Sequence, residues 1–335
     1  MRFLTRSLGG TLAAAALLAV SACGGATADT NPSAGDTLDV VVAFYPLQFT
    51  AERIADGAAE VTNLTQPGAD AHGVELTPRQ IAALSKADLV IYQKGFQPAV
   101  DEAVAQAQPA RVLDVTTVAT MHTVDASGAH SHEGEDAHAG ETPGADQTPA
   151  TEHSADDGHD HGTTDPHLWL DVDNMAKIAD STAALLSEAR PGNQQTFKDN
   201  AEALKRDYAT LDESFKTGLA TCQRREIIVS HAAFGYLTDR YNLVQVPIRG
   251  LEPDLEPSPA RVAEVQKLAK EHGVTTVFYE TLVSPAVANA VAGDLGLKTD
   301  VLDPLEGLTP ESKGSTYLEV MNANLTALKA ANACS

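Results

Sequence analysis

Eleven histidines are the residues of this chain best suited to chemistry, and most of them lie close together. Residues 121–164 contain seven of them together with ten acidic residues. The seven are His122, His130, His132, His138, His153, His159 and His161. Imidazole suits zinc, copper, nickel and iron, and a dense histidine tract predicts weak, multivalent metal contact. The alternative is a purely solvated linker.

The other four histidines, His72, His167, His231 and His272, are far apart in the chain. His231 follows a predicted strand and precedes a helix predicted from Ala232, and His72 occupies a similar loop nearer the N-terminus. Ligands gather beyond the carboxyl ends of strands in open α/β sheets. A helix N-terminus disfavours imidazolium, so we expect a neutral His231. His272 ends a helix, where a cationic ring is favourable, and we exclude it. Singly, each of the others is more often an ordinary amphipathic residue than a ligand.

The elements that must position these residues alternate between strand and helix. Apolar strands separated by helical patterns occur over residues 38–112 and again over 226–331. This alternation predicts two α/β lobes with mostly parallel sheets. Residues 172–221 look helical, with a break at Pro191 and Gly192. We interpret 194–218 as a long rigid helix joining the lobes, although two ordinary surface helices would give the same pattern.

The N-terminus predicts export. Arg2 and Arg6 precede an apolar run over Leu8–Val20, and small residues then precede Cys23. We predict a signal peptide over 1–22, lipid attachment at Cys23, and a flexible stalk over 23–35. The mature protein would then be extracytoplasmic and anchored to the cell membrane by its lipid. A plain secretory signal with an incidental cysteine is the alternative.

Composition and the remaining cysteines narrow the class further. The formal charge of −23 argues against nucleic acid or an anionic membrane surface as the main partner. Export implies an oxidising compartment, so Cys222 and Cys334 are predicted to form a disulfide. A thiolate metal site would need more soft ligands.

The predicted domain boundaries follow from these patterns. The N-terminal lobe spans 36–171, the helical linker 172–222 and the C-terminal lobe 223–335. Residues 121–164 interrupt the first lobe. Because they contain almost no large apolar side chains, we expect a disordered loop there.

Five short segments, in order, resemble motifs of the cluster A-I metal-binding proteins of ABC transporters. The most specific are Asp-Pro-His-Leu-Trp-Leu-Asp at 165–171 and Ser-His-Ala-Ala-Phe-Gly-Tyr at 230–236. The others are the loop at 68–78, the Glu-Pro-Ser-containing segment at 251–259 and Asp-Pro-Leu-Glu-Gly-Leu at 303–308. Together the resemblance covers about residues 38–333.

The resemblance implies two α/β lobes joined by a long helix, with a metal ion in the interlobe cleft. It implies that His72, His167 and His231 are ligands, and three imidazoles suit Zn²⁺ better than manganese. Glu306 is the favoured fourth ligand; Asp303 or a water molecule is the alternative. Asp165 and Glu256 are candidates to hold an imidazole through its other nitrogen.

The predicted function is zinc capture and delivery to the membrane permease of an ABC importer, by a monomer without enzymatic activity. Binding needs unprotonated imidazoles, so affinity is expected to fall below about pH 6.5. Import of manganese or another divalent metal, zinc storage, and surface adhesion are the alternatives. A secreted zinc hydrolase is less favoured, because the chain has no H-E-x-x-H, G-x-S-x-G or Walker A motif.

Overall fold

The computed structural model describes residues 37–123 and 164–335. Predictions for the signal peptide, Cys23 and the stalk therefore lie outside the described residues. The same holds for six histidines of the acidic segment: His130, His132, His138, His153, His159 and His161. Among the described residues, no helix is both long and apolar enough to span a bilayer.

The first lobe is a parallel four-stranded sheet with order β2-β1-β3-β4. Its strands are β1 Leu38–Val42, β2 Ala59–Asn63, β3 Leu89–Tyr92 and β4 Val112–Asp114. Its helices are α1 Tyr45–Ala55, α2 Pro78–Leu84 and α3 Pro98–Ala107. Because the strands are parallel, their carboxyl ends meet at one edge of the sheet, where the loops leading to α1, α2 and α3 begin.

Two helices follow the segment at 165–171: α4 Val172–Ala189 and α5 Gln194–Leu219. The turn between them contains Pro191, as the sequence indicated. The 26-residue helix α5 packs along α4 and α1. It also contacts α6 (Gly235–Tyr241) and α9 (Tyr317–Asn332), which belong to the second lobe. The prediction of a long helix joining two lobes is confirmed.

The second lobe repeats the parallel sheet, with order β6-β5-β7-β8. Its strands are β5 Glu226–Val229, β6 Val244–Pro247, β7 Thr276–Tyr279 and β8 Lys298–Val301. Besides α6 and α9 it contains the helices α7 Pro259–Glu271 and α8 Ala286–Leu295. The predicted α/β fold with two mostly parallel sheets is therefore confirmed, and among the described strands every pairing is parallel.

One detail of the second lobe differs from the sequence prediction, and a second agrees with it. The helix predicted from Ala232 begins at Gly235 instead, because the Ala233 amide donates to His231 O at 2.9 Å in a turn tighter than a helix. Cys222 and Cys334 form the predicted disulfide. It fastens the C-terminal end of α9 to the residues just after α5.

Candidate metal centre

Four side chains converge between the lobes: His72, His167, His231 and Glu306. One potential ligand atom from each lies within 4.8 Å of the others. Oε1 of Glu306 is 3.4 Å from Nε2 of both His72 and His231, and 3.6 Å from Nε2 of His167. The Nε2 atoms of His167 and His231 are 3.2 Å apart. Three imidazoles and one carboxylate therefore face a common point.

His72 lies in the loop between β2 and α2, which is held at both ends. Its amide donates to Oδ1 of Asp70 at 2.7 Å. The side-chain Nε2 of Gln97 donates to Ala71 O at 2.7 Å and to Thr65 Oγ1 at 3.0 Å. Pro78 begins α2 directly after the loop and fixes its exit. The loop therefore presents the ring from the carboxyl end of the first sheet.

His167 belongs to a buried segment that other parts of the chain hold in place. Oδ1 of Asp165 accepts the His167 amide at 2.9 Å and lies 2.7 Å from Nδ1 of its ring. Trp169 donates through Nε1 to Pro304 O at 2.7 Å, and its own carbonyl accepts the Tyr317 hydroxyl at 2.6 Å. These contacts leave Nε2 of His167 facing the common point.

His231 follows β5 by two residues and is fully buried. Its Nδ1 lies 2.8 Å from Oε1 of Glu280, which follows β7 directly. Because β5 and β7 are parallel neighbours, their carboxyl ends bring these two side chains together across 49 residues of sequence.

Glu306 and Asp303 have different roles in the loop after β8. Asp303 accepts hydrogen bonds from the Leu305 amide at 2.8 Å and from the Ser312 hydroxyl at 2.9 Å. Leu305 adopts a left-handed backbone with φ 62°, which turns the chain. Glu306 then faces the imidazoles. Asp303 shapes the turn, whereas Glu306 belongs to the four-residue group.

The carboxylates determine the charge of the metal-free centre. Burial lowers the pKa of His231, but Glu280 and Glu306 outweigh it and raise the pKa to about 10. Burial also lowers the pKa of His72, but Glu252 and Glu306 outweigh it and raise the pKa to about 9. The three imidazoles hold the pKa of Glu306 well below its usual range despite its burial. The expectation of a neutral His231 is therefore wrong for the metal-free centre, because the helix begins too late to act on it and Glu280 lies opposite.

Two carboxylates beside the rings were missed in the sequence. Glu280 contacts His231, and Oε2 of Glu252 lies 3.6 Å from Nδ1 of His72. The available signal for Glu280 was its place directly after a buried strand. Glu256, the residue chosen for such a contact, is exposed. Glu252 of the same loop is the carboxylate that reaches His72, although its side chain is 61% exposed. Asp165 does contact an imidazole, as expected.

The two remaining described histidines lie elsewhere. His272 caps α7 and its Nδ1 is 3.1 Å from Oε1 of Glu226. His122 stacks on Tyr236 with ring centroids 4.1 Å apart, and its Nδ1 is 3.2 Å from Oδ2 of Asp239. Neither belongs to the four-residue group, and weak metal contact by His122 stays a prediction.

The donor set fits a divalent cation. Within the described part of the chain, Nε2 of His72 and Oε1 of Glu306 are buried without a hydrogen-bond partner. Buried polar atoms are normally satisfied, and an ion at the common point would satisfy both. The fold and this group of side chains thus define a two-lobed metal-binding protein.

Comparison with known proteins identifies the family. Residues 40–331 match ZnuA, described as zinc-uptake complex component A, periplasmic. The chain belongs to this family. It is 34% identical over 323 residues to the high-affinity zinc uptake system protein ZnuA of Bacillus subtilis (strain 168), covering 94% of each chain.

Two further proteins extend the comparison. The chain is 32% identical over 301 residues to the zinc-binding lipoprotein AdcA of Streptococcus pneumoniae (strain ATCC BAA-255 / R6). That match covers 87% of this chain and 55% of AdcA, so the chain spans about half of that protein. The laminin-binding protein Lmb of Streptococcus agalactiae, described as bifunctional with adhesin and metal transporting activity, superposes with a TM-score of 0.70 and 26% identity. The superposition covers 88% of this chain and 99% of the Lmb chain.

Proposed function

We propose that this protein captures Zn²⁺ outside the cytoplasm and delivers it to the permease of an ABC importer. The observation that carries the proposal is the convergence of three imidazole nitrogens and one carboxylate oxygen on one point. The family match and the zinc-uptake relative support the same function.

His72, His167, His231 and Glu306 are the proposed ligands, and the distances support a tetrahedral ion. Zinc binds nitrogen and oxygen at roughly 2.0–2.2 Å, so neighbouring donors of a tetrahedron are about 3.3–3.6 Å apart. Four of the donor–donor distances are 3.2, 3.4, 3.4 and 3.6 Å. Three imidazoles favour zinc over manganese, which prefers oxygen ligands.

The same geometry supports binding and release without covalent chemistry. A zinc enzyme keeps a coordination position open for water or substrate, whereas a four-ligand cage is closed. Asp165 and Glu280 would orient His167 and His231 through Nδ1, which leaves Nε2 for the metal. The protein would act as a monomer, tethered through Cys23, with the histidine-rich segment concentrating zinc. The lipoprotein AdcA supports the tether.

A second function, adhesion, is favoured by the likeness to Lmb, which is described as both adhesin and metal transporter. The two functions are compatible, because a closed zinc site can be used for transport while the outer surface binds a partner. Deleting the gene separates them. Growth failure in chelated medium, rescued by added zinc, supports import. Normal growth with loss of adhesion supports the second function alone.

The direct test is zinc binding by the full-length chain, measured by competition with a chromophoric chelator. His167→Ala is expected to weaken the tight site by more than the roughly 100-fold that loss of an outer partner can produce. His272→Ala is the matched control, because His272 also faces a carboxylate but lies outside the group. Unchanged affinity in His167→Ala would show that the ligand assignment is wrong.

A further inference from the structure

The hydroxyl of Tyr236 lies between the two chain segments that flank residues 124–163. It accepts the His122 amide at 2.9 Å and donates to Asp165 O at 3.0 Å. The Asp165 amide in turn donates to His122 O at 2.9 Å. The adjacent residues Thr123 and Thr164 form an antiparallel bridge. The hydroxyl therefore completes the pairing of His122 with Asp165, in the place of a direct backbone hydrogen bond.

Asp165 connects this backbone pairing with the metal centre through its side chain. The residue is fully buried, and its Oδ1 contacts both the amide and Nδ1 of His167. An imidazole held through Nδ1 can offer only Nε2 to a metal, and the direction of Nε2 depends on where the carboxylate lies. A displacement of the Asp165 backbone would therefore turn the His167 ring away from the common point.

Tyr236 is itself firmly placed. It is fully buried in α6, the helix that follows His231, and its ring stacks on His122 with an interplanar angle of 16°. Burial raises the pKa of Tyr236 above its ordinary value, so the hydroxyl keeps the proton that it donates. One short helix thus connects the segment after His231 with the backbone next to His167.

We propose that Tyr236 is a positioning residue for zinc binding, which acts through Asp165 on the orientation of His167. The inference rests on the proposed function, since it assigns Tyr236 a role at that same centre. On this proposal, the backbone pairing of His122 with Asp165 also helps to hold the proposed ligand His167 in place.

The test compares Tyr236→Phe with Tyr208→Phe in the full-length chain. Tyr208 is also buried, and the hydroxyl that the control removes lies 3.4 Å from Thr50 Oγ1 on α1, whereas the ring that packs on Tyr317 is kept. Tyr236→Phe should weaken zinc binding by about tenfold, the lower end for an outer partner. It should also change the visible absorption of bound Co²⁺, which reports ligand geometry. Tyr208→Phe should change neither. Wild-type affinity and spectrum in Tyr236→Phe would overturn the proposal.

A double-mutant cycle tests the route through Asp165. Asp165→Ala removes the Oδ1 that holds the His167 ring, so adding Tyr236→Phe should then cost little further affinity, because coupled residues are non-additive. Fully additive losses would contradict an action through Asp165. If the wild-type chain bound no zinc, the proposed function would fail. Tight wild-type binding that His167→Ala abolishes and Tyr236→Phe leaves intact would refute only the role of Tyr236.

Discussion

The two lobes share one sheet order but carry different side chains at equivalent strand ends. The strands β1 and β5 hold the same place in their sheets. Phe44 lies two residues after β1 in the first lobe, and His231 lies two residues after β5 in the second. Phe44 packs on Phe96 and Trp169, with ring centroids 5.1 and 4.8 Å apart. His231 instead faces the common point of the metal centre. The same sheet position thus holds an aromatic packing residue in the first lobe and a metal-facing imidazole in the second.

The third strand of each sheet extends the contrast. Gln93 follows β3 and donates to Pro166 O at 2.6 Å, whereas Glu280 follows β7 and contacts Nδ1 of His231. Glu306 also comes from the second lobe. Two of the three buried carboxylates that contact the imidazoles, Glu280 and Glu306, therefore come from the second lobe, and Asp165 is the third. In the absence of a metal, protons must offset that charge, which explains the raised pKa values of His72 and His231.

The largest expected effect of this asymmetry is on pH dependence. The metal-free centre holds a proton on His72 below about pH 9 and on His231 below about pH 10, and zinc must displace both. We expect zinc binding at pH 8 to release more than one proton, and affinity to fall by more than about tenfold for each pH unit lost. Calorimetry in buffers of different ionisation enthalpy measures the release. The fall therefore begins well above the pH of about 6.5 expected for unperturbed imidazoles.

The sign of the effect on the metal-free protein is opposite. Because both folded pKa values are raised, the stabilisation from these protons is fully present below about pH 6.5 and is lost as the pH rises through about 9 and 10. The thermal midpoint of the metal-free chain should therefore fall over this range. Zinc affinity that stays flat between pH 7.5 and 9 would contradict the raised pKa values of His72 and His231.

The lobes also differ in how they are fastened to the helices α4 and α5 between them. In the second lobe, Arg240 contacts Asp212 and Asp173 at 2.7 Å and Asp171 at 3.1 Å, and its side chain is 16% exposed. In the first lobe, and within the described residues, Arg53 forms an ion pair only with Asp207, and its side chain is 40% exposed. Arg240→Gln should lower the free energy of unfolding by about 2–3 kcal/mol, since hydrogen bonds between charged groups are strong.

Arg53→Gln is the matched control for that substitution. An exposed ion pair contributes roughly 0–1 kcal/mol, so urea denaturation of the metal-free chain should show a much smaller loss. Equal losses in the two variants would remove the contrast between the attachments of the lobes.

Much of the centre could be predicted from the sequence, because short motifs carry it. The three histidines and Glu306 stand in recognisable segments, and strand alternation placed His72 and His231 at strand ends. Glu280 has no such motif. It contacts His231 only because β5 and β7 are neighbours, a pairing that strand patterns do not specify. Glu252 and Glu256 lie in one irregular loop, where no period indicates which carboxylate reaches His72. The raised pKa of His231 comes chiefly from Glu280 and could not be anticipated without that pairing.

The smallest expected effect comes from giving the second lobe the strand-end residue of the first. Glu280→Gln places an amide where the equivalent position holds Gln93, and keeps the size of the side chain. It removes the charge opposite Nδ1 of His231, so zinc affinity should fall by about tenfold. The pKa of His231 in the metal-free protein should also fall, so fewer protons are released on binding. Glu226→Gln, which alters the carboxylate facing His272, is the control and should change neither quantity. Chelator competition and calorimetry together decide the matter: a Glu280→Gln variant with unaltered affinity and proton release would mean that the charge in the second lobe does not act through this side chain.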